Sequence, residues 1–257
     1  MSDERTSRPY RGRFLIVAGV VGAVVLAAIG AALAMGLKGS GSDSGPWSMW
    51  KPDTDGVQGA QQIADHISST YKLGAGRRLV AVRAGELKIP QLVPVNGQPA
   101  VVDAPFSLVQ VVRNGRKEDV KYLDGNGILF SMCGLGSQCS IKFGTPSPQR
   151  LLVLRREALE LGLYTLKYLH DVKSVVVLTP PSKDGAPTGV MVFRRDGLGS
   201  LLDRPLVRTL PTNPPRPEAL KRKDAGQLRA LTQSHVFNYE VQAAPDGSAL
   251  MVLTQGG

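Results

Sequence analysis

From Phe14 to Leu37 the chain reads FLIVAGVVGAVVLAAIGAALAMGL, 24 residues without a charged side chain. At about 1.5 Å per residue this run makes a helix of about 36 Å. The hydrocarbon core is only ~30 Å thick, so the pattern predicts a tilted transmembrane helix over 14–37. Arg5, Arg8, Arg11 and Arg13 precede the run, while only Lys38 follows it closely. Positive side chains resist translocation, which assigns residues 1–13 to the cytoplasm and the remainder to the outside. A cleaved signal peptide is the competing reading, with Ala32-Leu33-Ala34 as its small-residue site. The run exceeds the ~7–15 apolar residues of a signal core, which favours a retained anchor.

Beyond the span the pattern changes character twice. Residues 38–54 read as a flexible Gly/Ser/Pro-containing linker, with Gly39-Ser40-Gly41-Ser42 near its start and both tryptophans, Trp47 and Trp50, toward its end. These indoles either return to the headgroup region or pack on the folded domain; their large apolar area favours packing. Residues 55–257 then alternate strand-like and helix-like periods. Val57, Ala60, Ala64, Ile67 and Tyr71 recur at helical spacing behind Asp55, with Gln58 placed to complete a capping pair. Leu79–Val82 and Leu87–Ile89 read as strands joined by a tight turn at Gly85. Proline-rich loops are expected around Pro90, Pro94, Pro99 and Pro105.

Phe106–Arg113 is a strand that enters a hairpin turn at Asn114-Gly115 and returns over 116–123; Ile128–Met132 is the next strand. Ser147-Pro148 opens a long helix to about His170, apolar around much of its circumference and hence central. Val175–Leu178 reads as a buried strand, and a strand near Ile141, this helix and the valine strand form a candidate βαβ crossover. Gly189–Arg195 is a further strand. A weak helix over 218–232 precedes a terminal hairpin, Val236–Val241 and Leu250–Leu253, turning at Pro245-Asp246-Gly247. The expectation is an α+β fold: an N-terminal transmembrane helix, then a mixed-sheet extracytoplasmic domain with about three helices.

Composition narrows the function classes. The chain has 257 residues, 42% of them hydrophobic, so a packed core is within reach. Two cysteines exclude a disulfide-dense scaffold and a four-thiolate zinc site. Outside the cytoplasm, Cys133 and Cys139 are expected to close a small loop as a disulfide; five intervening residues do not match a redox pair. His66, His170 and His235 are too far apart in sequence to form a local metal motif, so no metal or cofactor is expected. Gly74-Ala75-Gly76, Gly134-Leu135-Gly136 and Gly197-Leu198-Gly199 do not continue into phosphate-binding loops, and no GxSxG elbow occurs.

Glu157 and Glu160 read as solvated helix residues, with Arg156 pairing Glu160 across one turn. Net charge is +10. Arg216, Lys221, Arg222, Lys223 and Arg229 form the densest basic cluster, a candidate patch for an anionic partner. Nucleic acid is disfavoured because the cluster lies on the outer side and lacks a recognition motif. The chain therefore reads as a single-pass membrane protein whose outer domain binds or assembles with an envelope protein or anionic polymer, without catalytic residues. An anchored envelope hydrolase or transferase, and a binding domain secreted after cleavage, are the alternatives.

Overall fold

The computed structural model describes residues 46–257 except 96–97, 112–125, 137–138, 144–145, 181–188, 244–248 and 256–257. The chain divides after Ser44, and every described residue belongs to the second unit. The expected span 14–37, the Ala32-Leu33-Ala34 site and the Asn114-Gly115 and Pro245-Asp246-Gly247 turns lie outside the described residues. Among the described residues no helix is long and apolar enough to cross a membrane.

In chain order come helix α1 (Gly56–Thr70), strands β1 (Ala81–Glu86), β2 (Lys88–Val95), β3 (Gln98–Val111) and β4 (Gly127–Cys133), and helix α2 (Pro148–Tyr168). Strands β5 (Ser174–Leu178) and β6 (Val190–Arg194) follow, then helices α3 (Arg195–Leu202), α4 (Leu206–Thr209) and α5 (Arg222–Thr232). Strands β7 (Val236–Ala243) and β8 (Ala249–Gln255) end the run. The fold is α+β, with a mixed sheet in the order β1-β4-β5-β6-β7-β8-β3-β2. β4–β5 and β3–β8 are parallel pairs; the others are antiparallel. Five helices are described where the pattern predicts about three. The unforeseen ones, α3 and α4, span only eight and four residues, too few for an apolar stripe to recur clearly.

Several local expectations are corrected. Gly85 is no turn: β1 runs through it, paired with Leu129. The proline-rich loops are instead strands β2 and β3, with Pro94 opposite Pro99 and Pro105 opposite Lys88. Proline lacks a ladder donor but is tolerated on strands with an open edge. β2 ends the sheet, and residues 98–105 of β3 pair with β2 while 106–111 pair with β8. The crossover through α2 starts from β4, which pairs in parallel with β5. Ile141 makes only an isolated bridge to Leu135.

Helix α2 organises the core. Ser147 Oγ accepts the Arg150 N–H at 3.1 Å, the capping bond its position predicts. Val153, Leu159, Leu163 and Leu166 are buried along it, and Phe130, Val175, Val177 and Phe193 meet the same core from the sheet. Val176 and Leu129 face the opposite way into a second cluster with Val190, Phe237 and Leu253. Alternation along β4 and β5 thus feeds apolar side chains to both faces. Helix and sheet approach closely at Gly162, where an added Cβ would stand 2.6 Å from the Phe193 ring.

Candidate functional site

The sheet opens between β6 and β7. Only Val190–Phe237 and Met191–Val236 pair there, because residues 233–235 form a 3₁₀ turn before β7 begins. β6 continues for three more residues with β5 on its other side. At this fork lies an open groove of about 290 Å³ lined by Val192, Arg194, Asp196 and Gly197 from one stretch of the sequence and Ser234, His235 and Phe237 from another. His235 takes the place of the missing strand: its Nδ1 lies 3.1 Å from the Val192 carbonyl oxygen. A carbonyl only accepts, so Nδ1 carries the hydrogen and Nε2 is left as the acceptor of the neutral ring. Burial lowers the His235 pKa, against the opposing pull of that carbonyl.

The charged rim is internally committed. Arg194 Nε and Nη2 reach the Asp196 oxygens at 3.2 and 3.1 Å. Asp196 Oδ1 also accepts the Gly197 N–H at 2.9 Å, at the start of α3. The groove thus sets the Arg194–Asp196 pair beside apolar Val192 and Phe237. His235 and Gly197 each stand out in sequence, but the groove as a set does not. Its residues come from two segments about 40 apart that meet only through the β5–β6–β7 order.

The carboxylates of α2 are not a solvated face. Arg156 is 1% exposed and Glu157 0%. Arg156 Nη1 lies 3.1 Å from Glu160 Oε2, and the guanidinium also donates to the Tyr71 hydroxyl and the Pro211 carbonyl. Tyr71 in turn donates to Glu160 Oε2 at 2.6 Å. Both Glu157 oxygens are buried without a hydrogen-bond partner. Burial first, then repulsion from Glu160, raises the Glu157 pKa well above the carboxylate range, with Arg156 opposing. Burial raises Glu160 as well, against Arg156 and the Tyr71 hydroxyl. This network ties α2 to the residue after α1 and to the chain near Pro211, and its geometry is that of an internal tie.

Trp47 and Trp50 sit on the folded unit. Trp47 is 9% exposed, edge-on to Tyr164 and Tyr168 at 5.2 and 5.6 Å. Trp50 stacks on His66 at 4.0 Å with the planes 5° apart. Residues 46–54, assigned to the linker by their composition, therefore belong to the described unit. Cys133 and Cys139 form a disulfide with Cα atoms 4.4 Å apart. It closes a loop also held by Gly134 N–H to the Cys139 carbonyl at 2.7 Å. Arg216, Lys221, Arg222, Lys223 and Arg229 are all exposed, on α5 and the turn before it. Arg155 of α2 adds to them: burial and the nearby Arg229 charge both lower its pKa. Its position on a mostly buried helix hides it from a reading of sequence runs.

Among the described residues no group of three or more His, Cys, Asp or Glu is placed to hold a metal ion. Comparison with protein-family models, with characterised proteins and with solved structures finds no match to the chain.

Proposed function

We propose that this chain is a membrane-anchored binding domain, held outside the cytoplasm by residues 14–37, that engages an envelope protein through the groove at the β6–β7 fork. The observation that carries the reading is the groove's chemistry. The described hydrogen bonds engage Asp196 with Arg194 and Gly197 and orient His235 through the Val192 carbonyl, and none of them links Ser234 to either group as a nucleophile to its base. What the fork offers is a strand edge, an apolar floor and a polar rim. Val192 turns its carbonyl toward β7, and Arg194, two residues on, shares that side of the strand. An extended segment entering there would add to the sheet edge once it displaced the His235 ring from the Val192 carbonyl. The Cys133–Cys139 disulfide supports an oxidising compartment and hence the outward orientation. The exposed basic cluster supports a second ligand chemistry, an anionic envelope polymer, which would bind with strong salt dependence.

The test is site-specific photocrosslinking of the full chain in native membranes. A benzoylphenylalanine at Ser234 should give a discrete adduct that Arg194→Ala diminishes, while the same probe at exposed Glu240 should not. Absence of a groove adduct, with topology reporters still placing the C-terminus outside, would reject the groove. Reporters active on the cytoplasmic side would instead reject the anchor and orientation.

A further inference from the structure

The segment entering the folded unit carries an exposed apolar side chain that packing does not explain. Met49 is 94% exposed, the most exposed of the described large hydrophobic residues. It is not a frayed end, because its neighbours are pinned on both sides. Trp47 Nε1 reaches the Leu201 carbonyl at 3.5 Å, and the Trp47 carbonyl accepts the Leu206 N–H at 2.8 Å. Ser48 Oγ lies 2.6 Å from the Tyr168 hydroxyl and also donates to the Trp50 carbonyl. The Leu206 bond sets α4 beside the strap, and α4 carries Val207, 62% exposed. Exposed Lys51 lies two residues after Met49, and exposed Arg208 directly follows Val207.

We infer that the strap 47–51 and helix α4 form a face that rests on the outer lipid surface, with Met49 and Val207 entering the headgroup region and Lys51 meeting anionic phosphates. The inference rests on the anchored reading above. Pro46 follows Leu37 by nine residues, at most about 32 Å of extended chain. This short covalent leash keeps the strap at high effective concentration near the bilayer, whereas a soluble partner must arrive by diffusion. Apolar side chains flanked by cations are the composition that favours an anionic interface. The face thereby orients the groove for its partner.

The full chain, reconstituted in vesicles of phosphatidylcholine and phosphatidylglycerol, provides the test. An environment-sensitive fluorophore is placed by Met49→Cys, Val207→Cys or Glu240→Cys, and by Val24→Cys inside the expected span. Lipid carrying a nitroxide near the headgroup should quench the Met49 and Val207 labels at least about twofold more than Glu240. Phosphatidylcholine alone should reduce that difference. Water-like, unquenched emission at positions 49 and 207, with Val24 emission blue-shifted, would overturn the inference and leave the anchor standing. Blue-shifted but unquenched emission would also overturn it, identifying a second copy of the chain as the cover. Water-like emission from the Val24 label would reject the anchor itself.

Discussion

Glu157 shows at the scale of one residue how far an internal charge network departs from a surface reading. Arg156 and Glu160 already pair, so an ionised Glu157 would be a second anion in a site closed to water. Tyr71, the other titratable group facing the pair, is itself driven well upward by burial and by Glu160. The folded state therefore keeps a proton on Glu157 that the unfolded chain releases. Stability from this residue is fully present below the unfolded carboxylate pKa, about 4.3. It is lost as pH rises through that value toward the raised folded pKa. Glu157→Gln keeps the shape and removes the ionisation, so the variant should gain on the parent as pH rises. Thermal unfolding from pH 4 to pH 8 should show a widening gap, each kcal/mol appearing as about 2–4 °C for a unit of this size. A constant gap would place Glu157 in water. The i,i+4 spacing of Arg156 and Glu160 was legible in the sequence; the burial was not, because Tyr71 and Pro211 arrive from distant segments.

Helix α2 is the element most readable from its residues and also the one where helix propensity alone misleads. Its start follows from Ser147 and Pro148, and its central position from leucines spread around the circumference. Helix propensity alone invites replacement of Gly162, since alanine is favoured in a helix interior by about 1 kcal/mol. The added methyl would meet the Phe193 ring, which is 0% exposed and has no room to yield. Overpacking of this kind costs about 1–3 kcal/mol, so Gly162→Ala should lower the denaturation midpoint. A raised midpoint would mean that α2 and β6 are less closely packed. The β2–β3 pair teaches the converse lesson. Its four prolines read as loops, and they are strands because open edges spare them the hydrogen bonds they cannot donate.

For the molecule as a whole, the disulfide connects stability with compartment. The two cysteines are six positions apart, and closing so short a loop is worth about 2 kcal/mol in the chain-entropy account. Replacing both by serine should lower Tm by roughly 4–8 °C without abolishing folding, since the core lies elsewhere. Native protein whose cysteines both react with a thiol reagent before reduction would contradict the bond. The groove also belongs to this scale. It exists because β7 begins late against β6, and no local pattern in either strand announces that offset.

The sequence by itself determined the candidate membrane run, the α+β character, the start of α2, the buried strand β5 and the cysteine loop. Each is written in neighbouring residues, through apolar length, periodicity or a capping side chain. Tertiary structure alone decided that Arg156 and Glu157 are internal, that the prolines lie in strands, that Trp47 and Trp50 dock on the domain, and that a groove opens at the fork. Those outcomes depend on which distant segments meet. Water, lipid or protein around a side chain is set by that meeting, and it governs charge state and exposure more strongly than the residue's own preference.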